Sequence, residues 1–381
     1  MRVAFVNKYY YPHLGGVEYI LRDIASGVAA RPGREARAIV ANEGTDTVRE
    51  TVDGVDVLRM GRSFAYSSTP VAFGMRGVLR DAGRGQAPAD LINLHFPYPW
   101  GEWEWLWSGS HLPMVVTYHS DIVRQKRLLT VYGPVLNRVL DRADLIIATS
   151  PNMVEHSEFL APRADKCRVV PFGIDPAEYA DTPEVLARAA QLREGHDRPI
   201  VLFVGRLIYY KGADVLMAAM PDVDADLVII GKGPLKEGLE RASRDGGFAD
   251  RVTFLEPVDD DELNAWYHAA DVFVLPSVAR SEAFGLVQIE AHASGTPVVS
   301  TTLTTGVPFA NEDGVSGLTV PPSDAPALAR ALQKLVTDEE LRERLGRQAR
   351  ERALKEFTIE RMIDQTIEVY VEAIAVHDGA R

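Results

Sequence analysis

The chain has a single cysteine, Cys167, so no internal disulfide can brace it. That usage suits a reducing compartment, and a lone cysteine with no activating neighbour reads as a small core residue. Long apolar runs are missing as well. None approaches the ~20 residues that a membrane-spanning helix needs. The opening stretch Met1–Asn7 carries too short an apolar run for a signal peptide. A cytoplasmic protein is expected, with any membrane contact peripheral and at the inner face. Cations are in deficit: 41 Lys and Arg stand against 54 Asp and Glu, a net charge of -13. Phosphate neutralisation needs the opposite balance, so nucleic acid is not an expected partner. A Walker-type phosphate loop and the Gly-x-Gly-x-x-Gly fingerprint are both absent, which counts against an NTPase or a nicotinamide dehydrogenase. No Asp-x-Asp pair stands at an obvious strand end, so neither a metal nor another cofactor is expected. Asp259-Asp260-Asp261 reads as N-capping charge ahead of a helix.

What is present is an alternation of strand-like and helix-like stretches, the pattern of parallel sheets. Strands are expected at Arg2–Val6, Ala36–Ala41, Leu91–Leu94, Met114–Tyr118, Leu145–Thr149 and Cys167–Val170. A second set is expected at Ile200–Val204, Asp226–Ile230, Val252–Leu255, Val272–Leu275 and Val298–Thr301. Several are unbroken Val/Ile/Leu runs, as strands covered on both faces require. A chain of 381 residues exceeds one ordinary core. Pro171-Phe172-Gly173-Ile174-Asp175-Pro176 interrupts the alternation, which places a domain boundary near residue 176. From about Leu341 the tail reads as charged amphipathic helix. Between Asn42 and Ala89 the pattern is weak.

In open α/β sheets ligands bind beyond the carboxyl ends of the strands. Two glycine turns sit there. Gly15-Gly16 follows the first strand and precedes a helix over Val17–Ala29, where backbone N–H groups can approach an anion. An ordinary tight turn is the commoner use of a Gly pair. Gly205-Arg206-Leu207-Ile208-Tyr209-Tyr210-Lys211-Gly212 follows the first strand of the second half. Two cations beside glycines at a helix start suit a diphosphate, and solvated surface charge is the alternative.

The segment Ser281-Glu282-Ala283-Phe284-Gly285-Leu286 leads into a helix over Gly285–Ser294 that carries Glu290. Carboxylates accept hydrogen bonds from vicinal sugar hydroxyls, and loop residues at strand ends carry function. His119 stands at the end of a strand, where a sugar ligand or a general acid/base would stand, although a hydrogen-bonded structural histidine fits too. The same logic covers His95. His13 lies close to Gly15-Gly16. Two further features mark an acceptor or interface surface. One is Phe96–Trp107, with tryptophans at Trp100, Trp103, Trp105 and Trp107. The other is Arg124-Gln125-Lys126-Arg127, with Arg138 and Arg142 beyond. The first could equally be a packed helix start and the second a solvated face.

The spacing Glu282-x7-Glu290, with Phe284-Gly285 between, resembles the signature of the retaining family 4 glycosyltransferases of the GT-B fold. Gly15-Gly16, Thr117-Tyr118-His119-Ser120, Ser150, Pro171–Asp175, Gly205–Gly212, Gly231–Pro234 and Ala293–Val298 stand in the order that family shows. The resemblance implies an α/β fold of two Rossmann-like, doubly wound domains facing across a cleft. Residues 1–176 would form the acceptor domain and 177–357 the donor domain, with a C-terminal helix of about 358–381 packed back on the first. It implies a nucleotide diphosphate sugar, GDP-mannose or a UDP-sugar, as donor and a glycan as acceptor. Arg206 and Lys211 would hold the diphosphate, and Glu290 the ribose. Glu282, with the backbone of Phe284, Gly285 and Leu286, would hold the transferred sugar. Gly16, beside Gly15, would pack against the phosphate, Val258 would line the base pocket, and His119 would stand near the reaction centre. With the tryptophans, the cations Arg124, Lys126 and Arg127 are similar to the acceptor side of bacterial transferases that use polyprenyl-diphosphate-linked sugars. A soluble small-molecule acceptor, or a sugar-nucleotide-binding protein without turnover, remains the alternative.

Overall fold

A computed structural model describes residues 1–13, 15–66, 69–122 and 126–379, without the side chains of 126–129 and 131. Two compact units divide the chain. One comprises residues 1–171 with 359–381, the other residues 172–358. The division falls ahead of the expected position near 176 because Phe172 and Ile174 are buried in the second unit. Phe172 packs edge-on against Phe284, and the Ile174 amide donates to the Phe357 carbonyl.

The first unit is built on β1 (Arg2–Asn7), β2 (Glu35–Ala41), β3 (Val48–Val52) and β4 (Val55–Met60). Then follow β5 (Phe64–Tyr66), β6 (Thr69–Val71), β7 (Leu91–Phe96), β8 (Met114–Tyr118), β9 (Leu145–Ala148) and β10 (Cys167–Val169). Eight of them form one sheet in the order β10-β9-β8-β7-β1-β2-β4-β3, parallel except for the antiparallel edge strand β3. β5 and β6 form a separate hairpin. The hairpins between 48 and 71 escape the sequence pattern because β3 and β5 are short and exposed and β4 and β6 only partly buried. They lack the continuous apolar run of a doubly covered strand.

In the second unit come β11 (Ile200–Val204), β12 (Asp226–Ile230), β13 (Val252–Leu255), β14 (Val272–Leu275), β15 (Val298–Thr301) and β16 (Gly317–Val320). They order as β13-β12-β11-β14-β15-β16, all parallel. β11, β12, β14 and β15 are buried along their whole length, with helices over both faces. Both sheets are doubly wound. The strand order reverses between β1 and β7 in one unit and between β11 and β14 in the other, the two points where such folds place a ligand crevice.

The tail is two helices, Glu339–Glu356 and Ile359–Gly379, not one. The second is part of the first unit. Its Asp364 pairs with Arg31 at 2.8 Å, Glu372 with Arg168, and His377 with Asp144 at 3.0 Å, and the Tyr370 hydroxyl donates to Asn93 Oδ1 at 3.0 Å. Helix starts are set by short polar caps. Asp259 Oδ1 accepts the Glu262 amide at 2.9 Å, so the acidic triplet caps a helix as its position suggested. Among the described residues no helix is long and apolar enough to cross a membrane.

One buried charge centre stands out in the helix Pro99–Leu106. Glu102 is wholly buried, and its Oε1 accepts the Tyr98 amide at 2.8 Å, back-capping the helix start. Oε2 has no protein partner among the described residues. Burial pushes the carboxyl up to about 8, so it is neutral at neutral pH. A carboxyl raised in the folded state contributes stability below its unfolded pKa and loses it as pH rises through the folded value. Glu102→Gln is therefore expected to gain on wild type between pH 6 and pH 8.5 in urea unfolding. Glu102→Ala should cost about 1–3 kcal/mol, because the Tyr98 amide loses its acceptor. A Gln-to-wild-type difference that does not move with pH would contradict a neutral carboxyl.

Candidate functional site

In the second unit the crevice between β11 and β14 gathers the charged residues singled out above. β11 ends at Val204, and Gly205-Arg206-Leu207 turns outward. The Gly205 amide stays tied to Ile230 O at 3.0 Å and the Leu207 amide to Lys232 O at 2.9 Å. A single 3-10 turn, Tyr209–Lys211, then feeds the helix Ala213–Ala219. Gly212 joins them with φ 68, and a Cβ there would fall 1.9 Å from the Pro276 carbonyl oxygen. Only glycine meets both demands. That close approach brings the β14 loop against Lys211, and the Val278 amide donates to Tyr210 O at 2.8 Å.

The result is a buried ion pair. Lys211 Nζ lies 2.7 Å from Glu282 Oε2, with both side chains about nine-tenths covered. Ser277 Oγ donates to the same oxygen at 3.1 Å. Neither bond uses Oε1. Such a pair tolerates burial because each charge is the other's counter-ion. Arg206 is exposed, and its guanidinium donates to the Tyr210 hydroxyl at 3.1 Å. The Lys211 ammonium lies 5.8 Å from the centre of the Tyr210 ring. The Tyr209 hydroxyl meets Ser281 Oγ at 3.1 Å, beside Glu282. Tyr209 and Tyr210 are thus the struts between the cations and the glutamate loop.

Phe284 turns its ring into the core, against Phe172 and Phe357, so its backbone is what remains for a ligand. Gly285, at φ 77, caps the helix Leu286–Ala293. Glu290 sits in that helix, half-buried, and accepts the Tyr267 hydroxyl at 2.6 Å. Burial pushes Glu290 up to about 7, against the pull of the Tyr267 hydrogen bond. Tyr267 carries no sequence signal beyond an apolar position in the helix Asp260–Ala269. Val258 lines an open hollow with Glu178, Asp259, Asp261 and Asn264.

The first unit holds its candidates at the other reversal point. Gly15, in extended backbone, caps the helix Gly16–Ala30, and a Cβ on Gly16 would meet nothing within 4 Å. His95, on β7, and His119, just after β8, are both buried, with His95 Nδ1 2.9 Å from His119 Nε2. Below them Asn93 Nδ2 donates to Thr117 Oγ1 at 2.9 Å, so the two strands carry a polar ladder on one face. Burial holds both imidazoles neutral: His119 is pushed down to about 3, and His95 lies well below the usual range. His119 therefore offers hydrogen bonds and no positive charge at neutral pH. His13 stands apart from this pair, its ring tilted against Tyr9 at 4.3 Å and its Nδ1 2.6 Å from Glu43 Oε1. Arg124 lies outside the described residues, as do the side chains of Lys126 and Arg127. Arg138 is exposed, whereas Arg142 lies over the buried Trp105 ring and donates to the Leu106 carbonyl.

The tryptophan stretch divides by helical face. Trp105 is core, while Trp103 and Trp107 are 41% and 53% exposed. Trp100 donates to Ala72 O and meets Phe73 edge-on, and Phe73 meets Phe64 in turn. With Phe64 and Phe73 both exposed, an aromatic surface spans the β5–β6 hairpin and the helix Pro99–Leu106.

Comparison with known proteins adds an independent line. A family model described as Glycosyltransferase Family 4 matches residues 14–178, and one described as Glycosyl transferases group 1 matches residues 187–352. O-antigen chain mannosyltransferase C of Escherichia coli is 35% identical over 371 residues, 97% of this chain and 98% of that protein. D-rhamnosyltransferase WbpZ of Pseudomonas aeruginosa is 38% identical over 272 residues, 71% of each. Among solved structures, sucrose-phosphate synthase from Thermosynechococcus elongatus matches with a TM-score of 0.80 at 26% identity, over 98% of this chain and 99% of that one.

The Gly212 junction gives a direct test of how the site is held. Gly212→Ala should cost about 2 kcal/mol or more of stability in urea unfolding, through positive φ and collision with Pro276 O. A variant within about 0.5 kcal/mol of wild type would show that the junction can be relaxed cheaply.

Proposed function

The chain belongs to the family 4 glycosyltransferases and has their GT-B fold; on that premise we propose that it transfers a hexose, with retention, from a nucleotide diphosphate sugar to a glycan hydroxyl. The observation that carries the reading is the cluster at the β11/β14 reversal, where Arg206, Tyr210, Lys211 and Glu282 converge. Arg206 and Lys211 face the donor diphosphate, either GDP-mannose or a UDP-sugar. Glu282 and the backbone from Phe284 to Leu286 hold the transferred sugar, Glu290 takes the ribose hydroxyls, and Val258 borders the base. Gly16 leaves room for a phosphate oxygen, and His119 supplies a neutral hydrogen-bonding group on the acceptor side.

Retention by a double displacement needs a carboxylate nucleophile on the far face of the sugar. The carboxylate nearest the cluster, Glu282, is already committed to Lys211 and Ser277, which suits sugar binding better than attack. A front-face route fits these residues. The acceptor oxygen bonds to the anomeric carbon on the face the diphosphate leaves, and the acceptor proton passes to the leaving phosphate oxygen. Arg206 and Lys211 stabilise the charge that builds on that phosphate, and no metal or other cofactor is invoked. Donor binding draws Lys211 from a one-to-one pair with Glu282 into a shared one.

We further propose a lipid-linked acceptor in cell-surface polysaccharide synthesis, with the enzyme held peripherally at the cytoplasmic membrane face. Support comes from the exposed Phe64, Phe73, Trp103 and Trp107 rings, the kind that settle at headgroup level. The cations Arg124, Lys126 and Arg127 lie in the same half of the sequence.

Arg206→Ala and Lys211→Ala should each cost about 2–4 kcal/mol of transition-state stabilisation, read from kcat/KM. Glu282→Ala should nearly abolish transfer. Near-wild-type turnover in both cation variants would remove the diphosphate assignment. For the acceptor side, wild type should co-sediment with anionic vesicles at low salt. Binding should fall when Trp103 and Trp107 become alanine, or when Arg124, Lys126 and Arg127 are neutralised. Protein that stays in the supernatant at low salt would favour a soluble acceptor.

A further inference from the structure

Glu290 lies in a setting that works against its own charge. Glu178, from the turn Pro176–Tyr179, and Asp260, from the helix Asp260–Ala269, are both acidic and both act on it. Burial acts in the same direction. The helix Glu339–Glu356 packs on the same element with Leu345, Gly346, Ala349 and Ala353 as its buried residues, and β14 and β15 are uncharged. Two groups oppose this. One is the ammonium of Lys211, which is already paired with Glu282. The other is the Tyr267 hydroxyl, 2.6 Å from Glu290 Oε2.

We propose that Tyr267 is a positioning residue of the nucleotide site: its phenol orients Glu290 and keeps that carboxylate ionised so that it can accept hydrogen bonds from a ribose diol. The proposal rests on the ribose reading of Glu290. Three features make Tyr267 fit for the task. It is fully buried, so its hydroxyl has no water to exchange with. It is braced from both sides, with Tyr179 edge-on at 6.2 Å and its carbonyl accepting the Thr296 hydroxyl at 2.7 Å. Finally, a phenol O–H can only donate to a carboxylate, and that bond favours the charged form. By occupying Oε2 it also leaves Oε1 to the ligand. A protonated Glu290 would present an O–H to the diol instead, and lose an acceptor where two donors arrive.

The test follows the carboxylate and the donor separately. GDP-mannose and UDP-glucose are the probes, because their diphosphates do not titrate near neutral pH. Isothermal titration of wild type, Tyr267→Phe and Glu290→Gln is run from pH 6 to pH 9 with the donor that binds. Wild-type affinity should fall as pH drops through about 7. In Tyr267→Phe the inflection should move to higher pH, leaving affinity about tenfold weaker at pH 6.5 and largely recovered at pH 9. Glu290→Gln should bind weakly with little pH dependence. In parallel, carboxyl-labelled 13C NMR reads the Glu290 titration in wild type and Tyr267→Phe without nucleotide, and should give the same upward shift. Coincident Glu290 titrations in the two proteins would overturn the proposal and leave the ribose reading intact. Wild-type donor affinity in Glu290→Gln would overturn both.

Discussion

Strands that are covered by helices on both faces can expose polar chemistry only at their ends. The inner strands of both sheets are of that kind, and β11, β12, β14 and β15 have no exposed residue. A desolvated backbone must pair with its neighbours, so these strands commit every peptide group to the ladder. What is left over emerges at the carboxyl ends, and only where the strand order reverses do the following loops diverge. Arg206 and Lys211, the glutamate loop and the two buried histidines all lie at such reversals. The location of the chemistry is thus a consequence of how parallel strands are buried.

Within that crevice the protein neutralises its own charges. Lys211 and Glu282 are each other's counter-ion, Arg206 leans on a tyrosine hydroxyl, and Glu290 leans on another. An isolated buried charge would cost several kcal/mol, and the site avoids that cost without collapsing. On the proposed reading, a diphosphate enters by rearranging hydrogen bonds that already exist, and the preorganised charge stabilises the departing phosphate. The histidine pair follows a different rule, since burial leaves both rings neutral and makes them directional hydrogen-bonding groups.

The aromatic surface of the first unit obeys neither rule. Phe64, Phe73, Trp103 and Trp107 are exposed, yet rings touch one another along the hairpin and the following helix. A protein stable in water gains little from such a surface unless something covers it. Trp105, two residues from each of its exposed neighbours, is core, so helical periodicity alone sorts the tryptophans into packing and interface.

Much of this was legible in the residues themselves. Continuous Val/Ile/Leu runs located the buried strands, because burial on both faces leaves no room for polar alternation. Glycine turns after the first strand of each half, with Arg206, Lys211, Glu282 and Glu290 at fixed spacings, pointed to the candidate site. The hairpins between 48 and 71 were not legible, since short exposed strands are specified by their partners. The periodicity of the tail did not show its break at 357–358; only the resemblance implied a separate helix from about 358 packed back on the first unit. The chain order alone determined which residues could carry the chemistry. Tertiary packing decided that Lys211 meets Glu282, that Tyr267 holds Glu290 and that His95 meets His119. Those contacts join residues from different elements, and their distances depend on how the layers pack, which local spacing does not encode.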